Sequence, residues 1–206
     1  FTPEAVEQAT TKAVAAHHAA WLDRCAPPGV VLDLGCGIGG DLIALARTRR
    51  VIAYELDPVR ARFAEANVAV VGLADRVEVR CADWVEAMHS GLLPDAAAAF
   101  VDPVRRVDNR RVFHLDQVQP PIREIIALTA QMPVTGVKVM PGVEESELPA
   151  GSGVEFVSHE GVCKEAVLWF GPANWHRRWA TIIDRDVIQA PVDVVAPPLG
   201  EIMPGM

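Results

Sequence analysis

Short apolar runs of strand length alternate with helical segments, a glycine-rich turn follows the first run, and acidic residues close successive runs. Together they predict an α/β fold: a Rossmann-like, doubly wound, mostly parallel seven-stranded sheet with an antiparallel terminal hairpin, preceded by an N-terminal helix.

The predicted elements run as follows. Residues 3–25 form the first helix, with Thr2-Pro3-Glu4 as a start signal, Val14, His17, Trp21 and Leu22 at helical spacing, and Pro27-Pro28-Gly29 as the stop. Residues 30–34 are an apolar strand, 41–48 a helix, 51–55 the second strand and 57–71 the second crossover helix, closed by Gly72. A third strand covers 77–81 and a short helix 84–90. A fourth strand covers 96–101, a helix 121–130 and a fifth strand 134–140. Helical crossovers between strands make those strands parallel. The last strands come without a helix between them, at 154–158 or 164–170 and at 179–183, which is why a hairpin is expected there.

Bulk properties narrow the class. Half of the 206 residues are hydrophobic, enough for one well-buried core, and no apolar run reaches the ~18 residues of a membrane span. The four cysteines form no C-x-x-C pair, so neither a zinc site nor a disulfide framework is expected and a reducing cytoplasm is the expected compartment. A net charge of −8 argues against a broad electrostatic grip on nucleic acid. The chain starts at Phe1, which reads as a piece of something longer. The reading divides it into a helical segment 1–28, a catalytic domain 29–189 and a proline-rich linker 190–206.

The chemistry centres on Asp33-Leu34-Gly35-Cys36-Gly37-Ile38-Gly39-Gly40-Asp41. Glycines between strand and helix let a ligand approach the backbone, but G-x-G-x-x-G alone suits NAD as well as other nucleoside cofactors. The acids around it discriminate. Glu55 closes the second strand, 20 residues after Gly35, where a carboxylate accepts ribose hydroxyls. Asp83 closes the third strand, where it accepts from an adenine amine, with Leu56 and Trp84 as apolar neighbours of the ring. Asp33 places negative charge beside the loop, which suits the ammonium and sulfonium of S-adenosylmethionine and disfavours a pyrophosphate. Each acid taken alone reads more readily as a solvated helix cap; it is the set of three that points to the cofactor.

These motifs, D-L-G-C-G-I-G-G-D, Y-E-L-D-P, A-D-W and F-V-D-P, resemble the series of class I S-adenosylmethionine-dependent methyltransferases. Gln8-Ala9-Thr10, Asp102-Pro103-Val104-Arg105-Arg106, Val137-Lys138 with Pro141-Gly142, and the stretch from Glu165 to Gly171 are similar to the methyltransferase domain of actinobacterial THUMP-like-domain proteins, relatives of the trimethylguanosine synthase group. The resemblance implies that S-adenosyl-L-methionine is held by Thr10, Asp33, Gly35, Cys36, Gly37, Gly39, Glu55, Leu56, Asp83 and Trp84, with Thr10 reaching its methionine part. It also implies an RNA acceptor.

Asp102 and Pro103, at the end of the fourth strand, are the candidate catalytic residues. Amino-group methyltransferases often carry an acid or amide, two prolines and an aromatic there. Here Val104 and Arg105 replace the second proline and the ring, so base stacking is in question while Asp102 still orients an amine. Arg105, Arg106, Arg110 and Arg111, with Arg123, Arg177 and Arg178, read either as a phosphate-contacting lip or as a solvated, salt-bridged surface. Trp175 and Trp179 read as a stacking surface or as core anchors, and the histidines as surface or satisfied groups. Three other classes stay open: a small-molecule methyltransferase, a non-catalytic cofactor-binding module, and an NAD oxidoreductase, for which no Tyr-x-x-x-Lys is present.

Overall fold

The computed structural model describes residues 10–104, 106–107, 110–111, 114–173, 178–184, 187–188 and 192–193. Its elements are α1 (Lys12–Cys25), β1 (Val31–Leu34), α2 (Gly40–Ala46), β2 (Val51–Glu55), α3 (Pro58–Val70), β3 (Val77–Cys81), α4 (Trp84–His89) and β4 (Ala98–Val101). There follow a two-stranded ribbon of β5 (Arg106–Val107) and β6 (Arg110–Arg111), then α5 (Ile122–Thr129), β7 (Thr135–Val139), β8 (Gly153–His159), β9 (Val162–Phe170), β10 (Arg178–Asp184), β11 (Val187–Ile188) and β12 (Val192–Asp193).

The sheet runs β11-β10-β8-β9-β7-β4-β1-β2-β3, and β12 also pairs with β10. From β3 through β7 every pairing is parallel, as the crossover helices require. Both candidate segments near the C-terminus are strands: β8 and β9 form a hairpin whose turn holds Glu160 and Gly161 at φ 53° and 74°, the signs a type I′ turn demands. β9 lies antiparallel between β7 and β8, and β10 then adds parallel to β8. The described sheet thus has eight strands of four or more residues, one more than the seven expected, because the alternatives at 154–158 and 164–170 are both used.

Parity along the strands divides the core in two. One face carries Val31, Val51, Phe100 and Trp169 against Val14 and Leu22 of α1, Leu42 and Leu45 of α2 and Ala64 of α3. The other carries Leu32, Leu34, Tyr54, Val101 and Val137 against Trp84 and Met88 of α4 and Ile125 and Leu128 of α5. α1 docks through Trp21, whose ring centroid is 6.3 Å from Trp169 and 5.8 Å from Trp179. Trp179 is therefore a core anchor and not a stacking surface, while Trp175 lies outside the described residues.

Of the helix expected over 3–25, the described residues hold the part from Lys12 onward. Thr10 and Thr11 are non-helical and α1 begins at Lys12, because the Thr10 hydroxyl is taken by tertiary partners. Residues 3–9 lie outside the described ones. Among the described residues no helix is long and apolar enough to cross a membrane.

Candidate active site

The site forms where β1 and β4 lie side by side and their crossovers leave in opposite directions, the place at which open α/β sheets bind ligands. Gly35 leaves β1 at φ 91°, and its N–H and that of Cys36 donate to the Tyr54 carbonyl at 2.9 and 3.1 Å. A Cβ on Gly35 would stand 2.6 Å from the Asp102 carbonyl oxygen, so only glycine lets β1 and β4 close here. Gly37, at φ 56°, has nothing within 4 Å of a Cβ position and donates its N–H to Glu55 Oε2 at 2.8 Å. Gly39 takes φ 98° as it caps α2. Gly40 carries Thr10 across it: a Cβ there would lie 3.2 Å from the Thr10 backbone nitrogen and oxygen.

Of the acids predicted from sequence, Glu55 closes β2 and bonds to this loop, and Asp83 follows β3. Glu55 accepts from Gly37 and, through Oε1, from Asp57 N–H at 2.9 Å, so its carboxylate is held at the mouth of the loop with lone pairs to spare. Asp83 accepts from Val85 N–H at 2.8 Å and caps α4, using one of its two exposed oxygens. Leu56 is 70 % exposed beside Glu55, an apolar surface for a planar ring. Trp84 turns its indole into the α4 core instead, so what it offers the site is backbone. Cys36 is buried too. Burial, then Asp33 and Glu55, push its thiol far up, so it stays protonated and is no nucleophile.

Asp33 differs from its expected role. It is fully buried, and burial, reinforced by Asp41 and Asp102, pushes its carboxyl well above the usual carboxylate range. The negative charge beside the loop belongs to Asp41 and Asp102 instead. Asp33 Oδ2 has no hydrogen-bond partner among the described residues. An orphaned buried oxygen next to a glycine cradle, with carboxylates at two further strand ends, is the donor and acceptor set an aminoacyl nucleoside needs, so the residues present fit S-adenosylmethionine.

Beneath Asp102 lies a cluster that sequence reasoning did not assemble. Lys138, the last residue but one of β7 and 1 % exposed, donates to Thr10 Oγ1 at 2.6 Å, Asp102 Oδ2 at 2.7 Å and Asp41 Oδ2 at 3.2 Å. Thr10 Oγ1 in turn donates to Asp41 Oδ2 at 2.6 Å. His18 donates from Nδ1 to Asp41 Oδ1 at 2.8 Å, and its Nε2 lies 2.8 Å from Glu165 Oε1. Burial alone would pull the His18 imidazole down, but Glu165 and Asp41 raise it to about 10, so it is a cation at neutral pH. Burial likewise opposes the charge on Lys138, and Asp102, Asp41 and Glu165 overcome it and raise the ammonium. Asp41 is held below the usual carboxylate range by Lys138 and His18, against its burial. Glu165 is lowered by the same two cations.

A second buried group pins His17, the preceding residue of α1. Glu155 accepts from His17 Nε2 at 2.6 Å, Trp169 Nε1 at 2.9 Å and Thr181 Oγ1 at 2.5 Å. The available signal for the first cluster was Lys138 itself, a lysine flanked by valines in an apolar strand, since lysine is almost never fully buried unless paired.

Of the acceptor candidates, Asp102 is half-buried at the end of β4 and Pro103 is buried. Val104 then pairs with Gln119, N–H to carbonyl at 2.7 and 3.2 Å, which fixes the chain as it leaves the site. Of the arginines, Arg123 pairs with Glu124 and Arg178 with Glu145, as the solvated reading expects. The ribbon sets Arg106 opposite Arg111 and Val107 opposite Arg110. Arg105 and Arg177 lie outside the described residues.

Known proteins with similar sequence or fold agree with this geometry. A family profile described as RNA cap guanine-N2 methyltransferase matches residues 28–119. The chain is 34 % identical over 190 residues to proteins of two Mycobacterium tuberculosis strains named uncharacterized S-adenosylmethionine-dependent methyltransferase. The match covers 89 % of this chain and 50 % of theirs. The chain thus spans about half the length of those relatives. A solved structure from Porphyromonas gingivalis W83, assigned as a methyltransferase, superposes with TM-score 0.71 at 17 % identity, covering 93 % of this chain and 49 % of that one. An RNA methyltransferase from Salinibacter ruber, in complex with S-adenosyl-L-homocysteine, superposes with TM-score 0.52 at 22 % identity, covering 79 % and 92 %. In fold the chain is thus similar to methyltransferase structures, and in sequence to proteins named as S-adenosylmethionine-dependent methyltransferases. Over residues 28–119 its likeness is to the RNA cap guanine-N2 methyltransferase profile.

Proposed function

We propose that this domain transfers the methyl group of S-adenosylmethionine to an amine of an RNA base, in the manner of the trimethylguanosine synthase group and its THUMP-like relatives. Asp102 carries the reading: a carboxylate beside the glycine loop, set in place by a buried lysine, in a segment whose family profile describes guanine-N2 methylation. Residues 29–189 would form the catalytic unit. Glu55 would hold the ribose, Asp83 and Leu56 the adenine, and Asp33, Thr10 and the Gly35–Gly39 backbone the methionine part. The cofactor supplies a carbon already activated by positive sulfur. What this chain adds is alignment: Asp102 accepts a hydrogen bond from the acceptor amine and Pro103 walls the approach. Arg105, Arg106, Arg110 and Arg111, on or beside the ribbon that follows β4, would meet RNA phosphates. Four cysteines with free thiols suit a reducing cytoplasm.

The test is calorimetric titration with S-adenosylhomocysteine and, separately, NAD, on wild type and Asp83→Ala, followed by labelled-methyl transfer to unmodified RNA transcripts. Micromolar binding of S-adenosylhomocysteine, weakened by ~1–3 kcal/mol in the variant as loss of a hydrogen bond to a charge should be, supports the cofactor assignment. Label appearing on guanine N2 supports the acceptor. Tight NAD binding, or label transferred only to small molecules, refutes it.

A further inference from the structure

The Lys138 ammonium under Asp102 does more than balance the charge of Asp41. Asp41 already has a cationic partner in His18, 2.8 Å away, and a hydroxyl donor in Thr10 at 2.6 Å. The Lys138 ammonium nevertheless spans three groups of separate chain origin: Asp102 after β4, Thr10 ahead of α1 and Asp41 in α2. Two of these bonds, 2.6 and 2.7 Å long, go to the groups nearest the site, and the longest, 3.2 Å, goes to Asp41. An ammonium has three hydrogens, so all of its donor capacity is used. Thr10, meanwhile, lies on Gly40 across the start of α2, so the hydroxyl that Lys138 grips belongs to the segment covering the glycine loop.

We propose that Lys138 is the positioning residue of the acceptor side. It orients the Asp102 carboxylate and ties it to Thr10, so that the segment lying over the cofactor loop and the side chain that aligns the acceptor move as one unit. This rests on the reading of Asp102 given above. The physical basis is rigidity: an ammonium with all three hydrogens engaged in a dry site cannot release one partner without leaving a buried charge under-satisfied. Cofactor enclosure and acceptor alignment are therefore set together, and a merely structural lysine would not link them.

The experiment uses the full chain saturated with S-adenosylhomocysteine, with carbon-13 labels in threonine methyl groups, in wild type, Asp102→Asn, Lys138→Met and their double variant. Steady-state transfer from S-adenosylmethionine to RNA transcripts is measured alongside for wild type, Thr10→Val, Lys138→Met and Lys138→Arg. If Lys138 links the two sides, Asp102→Asn shifts the Thr10 methyl resonance in wild type and no longer does so once Lys138 is methionine. Lys138→Met then lowers kcat at least ~tenfold and also raises KM for S-adenosylmethionine, because Asp102 and Thr10 lose their common tie. Lys138→Arg recovers part of both effects, and Thr10→Val raises that KM with a smaller drop in kcat. A Thr10 resonance indifferent to Asp102→Asn overturns the proposal, as does an unchanged kcat in folded Lys138→Met. Should Lys138→Met fail to fold, the Asp102→Asn shift together with the Lys138→Arg and Thr10→Val kinetics decides. If wild type methylates no RNA, the acceptor reading fails, and the Thr10 resonance still tests the link by itself.

Discussion

Two glycines of the same loop should respond to alanine in opposite ways. At Gly35 the new methyl would stand 2.6 Å from the Asp102 carbonyl oxygen, a backbone atom that cannot swing aside, and φ 91° lies outside the left-handed well that other residues tolerate. Strain of ~1–3 kcal/mol and overpacking of ~1–3 kcal/mol add to a loss of about 2–6 kcal/mol, a large part of the ~5–15 kcal/mol that holds an ordinary domain. At Gly37 nothing lies within 4 Å and φ is 56°, close to the left-handed minimum, so alanine costs only ~1–2 kcal/mol of fold stability. In the proposed cofactor site that open space takes the backbone contacts, so the methyl acts on binding. Urea unfolding and S-adenosylhomocysteine titration should therefore separate the two variants. Gly35→Ala loses stability first, whereas Gly37→Ala stays folded and binds at least ~tenfold more weakly. Wild-type affinity in Gly37→Ala would refute the cradle. A loss under ~1 kcal/mol in Gly35→Ala would refute the close packing of β1 on the Asp102 carbonyl.

Further predictions concern the charges buried under α1. The folded-state value of about 10 for His18, against an ordinary 6.5, means that its contribution to stability is complete below pH 6.5 and lost as pH rises through 10. Unfolding free energy should therefore fall by up to ~1.4 kcal/mol per pH unit across that window, and His18→Gln should flatten the slope. A wild-type curve flat from pH 7 to 10 would show that His18 is not held as a cation. On the acid side the signs reverse: Asp41, Glu155 and Glu165 are all lowered, so their contribution fades as pH drops below the ordinary carboxylate range. Glu155→Gln keeps the shape but turns an amide N–H toward groups that are themselves donors, and should cost ~2–4 kcal/mol in urea melts. Because Glu155 lies away from the loop, S-adenosylhomocysteine affinity of the folded variant should stay within ~twofold of wild type.

The sequence by itself determined what depends on local pattern. Alternating strand and helix periods set the parallel order of β1 to β4 and β7. Glycines at a strand end, followed by acids at Glu55 and Asp83, marked the candidate crevice, since strand ends in such a fold converge by topology alone. Thr10 and Lys138 were visible only as motif residues, and Asp41 only as the start of a helix. Their meeting depends on side-chain parity in β7 and β9, which turns Lys138 and Glu165 to the α1 face, and on the path that lays Thr10 over Gly40. The same tertiary burial made Asp33 a poor charge, took Trp84 into the core, and placed β9 between β7 and β8. Spacing along a chain fixes which residues share a face, but charge state and partnership depend on what packs against that face. At this site the helix that packs there carries His17 and His18, and only the folded structure set them against Glu155 and Asp41.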